Sequence, residues 1–428
     1  MRVVIAHSHL NPGGVTRIIE SQIGSLENDS VTVIVGACQN PEAIEERDAR
    51  LEIIESLNYL VNRKYSDKEA VVLLHQIHAQ IKKHVSKDSI LHFHNLNLGK
   101  NPIVTYAVYL LAKEGYKVFN HAHDFAEDRA TNLQFLKEII TDNFAQKLND
   151  ILYPDLPNYH FGVLNSFDFE RLLGYGVRKE RIEWLPNPVT FSTSKSVADK
   201  ALFKKEISES LQLDPSKLLV TYPVRVIQRK NIGELILLAS VFQNEVNFVV
   251  TQPPQNPVEI ERYKKWTSFC QKENISMTFE AGTKVNFETL LIASDFCITT
   301  SYKEGFGMVY LEPWLLHTPV VGRDIDFISK DFVADGFEFP LLYSKIEIPG
   351  LENDFKDLHM EEQMQIISDV HGGKIQRDTL FEQNPFLTSM FNKVDAGVIT
   401  KNISIIKNNY SLKGYGIKLQ ERYKKLVG

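Results

Sequence analysis

The sequence predicts an α/β protein built from two doubly wound domains. Three observations carry that expectation. At 428 residues the chain is too long for one ordinary core and suits two. Short apolar runs alternate with longer amphipathic ones, as a parallel sheet with crossover helices requires. The alternation stops near residue 187 and then begins again. In the first half, strands are expected at 3–6, 31–35, 90–94, 117–121 and 160–163, with helices at 14–26, 68–84, 104–114 and 132–148. A small helix at 170–174 and a turn at 177–181 lead into 182–185. The run Pro186-Asn187-Pro188-Val189, followed by 190–196, forbids regular structure, so the boundary falls there. In the second half, strands are expected at 218–222, 247–251, 276–279, 296–299 and 320–321. Helices are expected at 232–242, 258–272, 287–293 and 308–316. Residues 324–384 show no clear period, and the chain ends in an amphipathic helix.

Composition narrows the function. Hydrophobic content of 43% and charged content of 24% are those of a soluble globular protein, and no apolar run approaches the roughly 20 residues of a membrane span. The opening Met1-Arg-Val-Val-Ile-Ala-His7 reads as a first strand and not as a signal peptide, so a cytoplasmic protein is expected. Cys38, Cys270 and Cys297 are odd in number and widely spaced, which argues against a disulfide framework and a zinc site. A net charge of −6 gives no general pull toward nucleic acid or an anionic membrane, although a local basic patch at a membrane surface remains compatible with it.

The stretch 301–323 holds the strongest chemical signal. A strand, a glycine-punctuated turn at Gly305-Phe306-Gly307-Met308 and a helix start form an anion site. Glycines let backbone approach a ligand, and free N–H groups at a helix start face it. Glu304 before the turn can accept hydrogen bonds from sugar hydroxyls and Glu312 beyond it from a ribose, so the site reads sugar, diphosphate, ribose. Two solvated glutamates are the plain alternative. Gly13 and Gly14 likewise stand between the first strand and a helix, as a ligand-binding or merely tight turn. Arg225 and Lys230 follow the strand at 218–222, where cations can offset the charge of a departing diphosphate; Arg229 between them reads as solvated.

His121 and His123 share one face of an extended segment, and His92 and His94 form a second such pair, so neither pair supplies a third metal ligand. Asp124, Glu127, Asp128 and Arg129 follow on the same loop as candidates for acceptor hydroxyls. Asn165 and Asn187 read as turn caps. Asp324-Ile-Asp326 imitates a metal-binding Asp-x-Asp but reads as a solvated loop, and no metal or other cofactor is expected.

The run from Glu304 to Glu312 resembles the Glu-x7-Glu motif of family 4 retaining glycosyltransferases of the GT-B fold, the group 1 glycosyl transferases. Pro12-Gly13-Gly14, the Arg225-x4-Lys230 spacing and His123-Asp124 are similar to further motifs of that family. The resemblance implies two Rossmann-like domains facing a central cleft: an acceptor-side domain at 1–186, a nucleotide-sugar domain at 187–405, and a terminal helix at 406–428 crossing back. It implies that Glu304 positions the donor sugar, that the backbone of Gly305, Phe306, Gly307 and Met308 holds the diphosphate, and that Glu312 holds the ribose. It brings Gly13 and Gly14 close to donor, gives Arg225 and Lys230 the leaving group, and puts His123 at the reaction centre with Asp124 orienting it or meeting acceptor. The implied activity is metal-independent, retaining transfer of a hexose from a nucleoside diphosphate sugar to an acceptor hydroxyl. The soluble composition and polar loop favour a small polar sugar or polyol as acceptor. A nucleotide-sugar epimerase, a non-catalytic nucleotide-sugar binder and a phosphorylase are the alternatives.

Overall fold

The computed structural model describes residues 1–26, 29–190 and 196–427. The chain divides into two compact units, Met1–Thr190 with Asn409–Gly428 (unit 1) and Phe191–Asn408 (unit 2). Most of the expected linker, 191–195, lies outside the described residues.

Unit 1 is a seven-stranded parallel sheet in the order β3-β2-β1-β4-β5-β6-β7. Its strands are β1 Arg2–His7, β2 Ser30–Val35, β3 Arg50–Ile53, β4 Ser89–His94, β5 Lys117–Ala122, β6 Tyr159–Val163 and β7 Ile182–Trp184. The central strands are buried on both faces, which is why they read as unbroken apolar runs. Strand β3 lies at the edge, and its exposed Arg50 and Ile53 and half-buried Leu51 and Glu52 leave no apolar run to find. Helix Asp67–Lys82 starts at a capping box of Ser66 and Glu69, and Pro102–Lys113 starts at Asn101 with proline in its first turn, two starts that cap chemistry favours.

The single helix expected at 132–148 is instead three pieces: Ala130–Lys137, a π-helical turn at Glu138–Asn143, and Leu148–Leu152. Ala145 between the last two has a left-handed φ of 52°, a conformation that ends a right-handed helix. Helix Leu412–Val427 belongs to unit 1. Its Tyr415, Leu419, Tyr423 and Leu426 share an apolar cluster with Ile19 and Ile23 of helix Gly14–Ser25 and with Phe119 of β5. A Cβ on Gly416 would come within 2.8 Å of Ser25, so glycine there lets the two helices touch.

Unit 2 is a five-stranded parallel sheet, β12-β11-β10-β8-β9, of β8 Leu218–Arg225, β9 Val246–Gln252, β10 Phe296–Thr299, β11 Val320–Arg323 and β12 Leu342–Tyr343. Helix Ile232–Val241 is buried along its whole length. The strand expected at 276–279 reduces to one bridge, Val249 with Thr278. The helix expected at 308–316 is two 3₁₀ turns, Met308–Tyr310 and Glu312–Leu316. Pro313 has no N–H to give the Val309 carbonyl, so an α-helix cannot run through. The unassigned stretch contains helices Asp326–Ala334, Met360–His371 and Arg377–Gln383, whose Ile366, Ile367 and Leu380 join the unit's core. Among the described residues no helix is long and apolar enough to cross a membrane.

Candidate active site

In unit 2 the candidate residues gather where β8 and β10 end, at the switch point of the sheet, the usual ligand position in open α/β sheets. Pro223 interrupts the β8 ladder, and the register to β9 shifts between Tyr222 and Arg225. A 3₁₀ turn at Gln228–Lys230 follows, and Asn231 then turns left-handed at φ 48° to open helix Ile232–Val241. The turn is tied to the end of β10. The Tyr222 hydroxyl donates to the Lys230 carbonyl at 3.0 Å and bonds Ser301 Oγ at 2.7 Å, while Thr300 Oγ1 donates to the carbonyls of Lys230 and Asn231 at 3.0 and 3.1 Å.

This scaffold delivers Lys230 to Glu304. The Glu304 side chain, 8% exposed, is clasped by Lys230 Nζ at one oxygen and by Arg229 Nη1 at the other, the latter at 2.5 Å. Burial alone would raise the Glu304 carboxyl; the Lys230 and Arg229 charges hold it below the usual carboxylate range. Burial lowers the Lys230 ammonium, with Glu304 opposing. Arg229 is therefore not the solvated residue that sequence suggested. It also donates to the Lys303 carbonyl at 2.8 Å. Arg225 is not among Glu304's partners, and its Nε is buried without a hydrogen-bond partner, an N–H that an anion would satisfy. Gly307 sits at φ 86°, and a Cβ there would lie 2.8 Å from Ile328 and Tyr310, so the turn requires glycine. Glu304 and Gly305 to Met308 are thus adjacent, with half-buried Glu312 opening the second 3₁₀ turn. No helix of useful length begins at this turn, so the expected helix-end field is absent, and the charges beside the turn are those of Lys230 and Arg229. Half-buried Asp324 accepts from Ser329 Oγ at 2.5 Å and Asp326 is exposed.

Behind the turn lies a network that sequence reading missed. Glu234, fully buried, receives Arg323 Nε at 3.0 Å, the Tyr343 hydroxyl at 2.7 Å and Asn231 Nδ2 at 2.8 Å. Arg323, 1% exposed, also reaches Asp354. The network therefore fixes Asn231, the residue after Lys230.

In unit 1, Gly14 opens the helix after β1, and extended Gly13 precedes it, where an added Cβ would meet nothing nearer than the Asn11 carbonyl at 3.7 Å. Asn95, left-handed at φ 63°, accepts from the backbone N–H groups of His123 and Asp124 at 2.8 and 3.1 Å, which sets the loop after β5. His123 is buried, and its Nε2 bonds His94 Nδ1 at 2.9 Å. Asp124 pairs with Arg129 at 3.0 Å, Asp128 with Arg171 at 3.1 Å, and Glu127 accepts from the Tyr153 hydroxyl at 2.7 Å. Asn165 caps helix Ser166–Gly174 as expected. Asp168, in the first turn of that helix, is buried and was not anticipated. Burial pushes its carboxyl up to about 6, against the Asn165 amide and Arg171, with Asp128 and Asp124 adding to the rise. The two separate histidine pairs turn out to be one cluster, because the β4–β5 register sets His94 against His121.

Comparison with known proteins bears on the fold. Residues 203–342 match the family model of Glycosyl transferases group 1. HepE of Anabaena, crystallised with UDP and glucose, superposes with a TM-score of 0.63 at 12% identity over 99% of both chains. Sucrose-phosphate synthase of Thermosynechococcus elongatus gives 0.62 at 13% identity, over 99% of this chain and 98% of that one. The fold is GT-B. Two curated proteins of Petrotoga mobilis are related in sequence. Mannosylglucosyl-3-phosphoglycerate synthase is 29% identical over 342 residues, 77% of this chain, and mannosylglucosylglycerate synthase is 24% identical over 321 residues, 67% of this chain. The matches cover 66% and 71% of those relatives, so the chain spans just under two thirds of the first.

Proposed function

We propose that this GT-B chain is a retaining glycosyltransferase that moves a hexose from a nucleoside diphosphate sugar to the hydroxyl of a small polar acceptor. The observation that carries the reading is Glu304, a buried carboxylate held by Lys230 and Arg229 next to the Gly307 turn. When donor enters, the cations meet the diphosphate and Glu304 meets sugar hydroxyls, so one set of charges serves both the empty and the filled site. We assign Gly305 to Met308 to the diphosphate, Glu312 to the ribose, and Gly13 and Gly14 to donor-facing backbone. Arg225 and Lys230 offset the charge on the departing diphosphate, without a metal ion. Front-face attack, with the leaving phosphate oxygen taking the acceptor proton, retains configuration. His123 is assigned to the reacting sugar, and Asp124, Glu127, Asp128 and Arg129 to acceptor hydroxyls. The names of both Petrotoga relatives describe a mannosylglucosyl group on glycerate or phosphoglycerate, which supports a short glyceric acid glycoside as acceptor. Three free cysteines suit a reducing cytoplasm.

The test is an assay of nucleoside diphosphate hexoses with glycerate glycosides, without added magnesium or manganese, followed by NMR of the new glycosidic bond. Transfer with retained configuration is expected. Conversion of the donor to another sugar nucleotide without acceptor would establish an epimerase, and binding without turnover a non-catalytic binder.

A further inference from the structure

The strongest feature that the proposed transfer does not use is the histidine cluster of unit 1, which lies behind His123. His92, His94 and His121 project from one face of β4 and β5 and are at most 1% exposed. Their ring centroids lie 4.6, 5.1 and 5.3 Å apart. Each offers a ring nitrogen within 4.8 Å of the others. His92 Nε2 is 3.3 Å from His121 Nδ1, and two imidazole nitrogens on one tetrahedral zinc, each about 2.0–2.1 Å from the metal, stand roughly 3.3 Å apart.

The outward nitrogens of His92 and His94 are arranged as metal-binding histidines require. His92 Nδ1 meets the Tyr423 hydroxyl at 2.6 Å, and His94 Nδ1 meets His123 Nε2 at 2.9 Å. These partners can fix the tautomers that leave His92 Nε2 and His94 Nε2 bare. The Gln22 amide fills the remaining side, with Oε1 2.9 Å from His94 Nε2 and Nε2 3.3 Å from His121 Nδ1. His121 Nδ1 is the ring nitrogen that faces both His92 Nε2 and the Gln22 amide, each at 3.3 Å, so it is the donor that closes the set.

We propose that His92, His94 and His121, with Gln22 as the fourth donor, bind a structural zinc ion inside unit 1. The ion would staple β4 and β5 to helix Gly14–Ser25. Through Tyr423 on His92 and Tyr415 on Gln22 it would also anchor helix Leu412–Val427. Buried ligands imply loading during folding. The ion stands behind His123 through His94 Nδ1, and its readout is metal content and ligation, so the proposal stands or falls apart from the reading of Glu304.

The full chain should be unfolded, refolded with zinc sulfate, desalted and analysed for metal, with zinc-edge X-ray absorption on the product. About one zinc per chain bound by three imidazoles is expected. His121→Ala should fall to background zinc while Asp326→Asn, in the exposed Asp-x-Asp loop, keeps it. Refolded wild-type chain without zinc, or zinc with fewer than three imidazole ligands, overturns the proposal whether or not His121→Ala folds, and leaves a ladder of neutral hydrogen-bonded histidines. Retention of zinc by folded His121→Ala overturns it as well.

Discussion

Replacing Glu304 with glutamine tests the central assignment, because it removes one charge at nearly constant shape. Lys230, with 12% of its side chain exposed, loses a buried ion pair, and such a loss typically costs about 3–5 kcal/mol. Arg229, at 39%, is screened by solvent, and its share is at most about 1 kcal/mol. The amide oxygen of glutamine can still accept one hydrogen bond, which returns about 1 kcal/mol. The expected net loss is about 2–4 kcal/mol in unit 2, or roughly 5–15 °C in its thermal midpoint. Because the cations depress the Glu304 carboxyl in the folded state, its contribution is complete above the unfolded carboxyl value near about 4.3 and disappears as pH falls through the lower folded value. Wild type and variant should therefore converge in strong acid and separate at neutral pH. Turnover of donor sugar should fall by roughly tenfold to a thousandfold. A nucleoside diphosphate without sugar should still stabilise the variant, since Lys230 and Arg229 are left with no carboxylate between them and the phosphates. Scanning calorimetry with and without ligand, beside transfer rates, makes the check. An unchanged midpoint together with unchanged transfer would refute the reasoning.

Gly307→Ala should cost about 2 kcal/mol or more, since alanine in the left-handed region loses about 1–2 kcal/mol and its Cβ would also press on Ile328 and Tyr310; chemical denaturation of unit 2 and loss of nucleotide protection are the readouts. Asp168 binds its proton more tightly in the folded state, at about 6, than an unfolded aspartate does, so its ionisation opposes folding progressively as pH rises from about 4 to 6. Asp168→Asn should stabilise unit 1 by about 1–3 kcal/mol at pH 7 and by almost nothing at pH 4, measured by urea unfolding at both. Glu234→Leu removes the buried carboxylate that Arg323, Tyr343 and Asn231 share, leaving Arg323 with Asp354, and should cost about 3–5 kcal/mol, whereas Glu234→Gln keeps an acceptor and should cost less; equal losses in urea unfolding would show that the shared acceptor is not the source.

The legible part of this chain is the part that repeats. Doubly buried strands announce themselves as apolar runs, so β1, β4, β8 and β10 could be read directly, and the Glu304-to-Glu312 turn carried enough glycine and acid to be singled out. What escaped reading had no local signature. Edge strand β3 offers no apolar run, and the break at Glu312 turns on one missing proline N–H that competes with a strong helical pattern. Arg229 looked solvated because its partner lies 75 residues away, and nothing in the sequence singled out Asp168, because its elevation comes from burial beneath other elements. The histidines show the principle most clearly. Each His-x-His pair, taken alone, lacks a third ligand, and only the alignment of β4 with β5, with His94 opposite His121, makes one cluster of both. Sequence therefore states which groups share a face. Strand order and register decide which faces meet, and in this chain they bring together Glu304 with its cations and the histidines with Gln22.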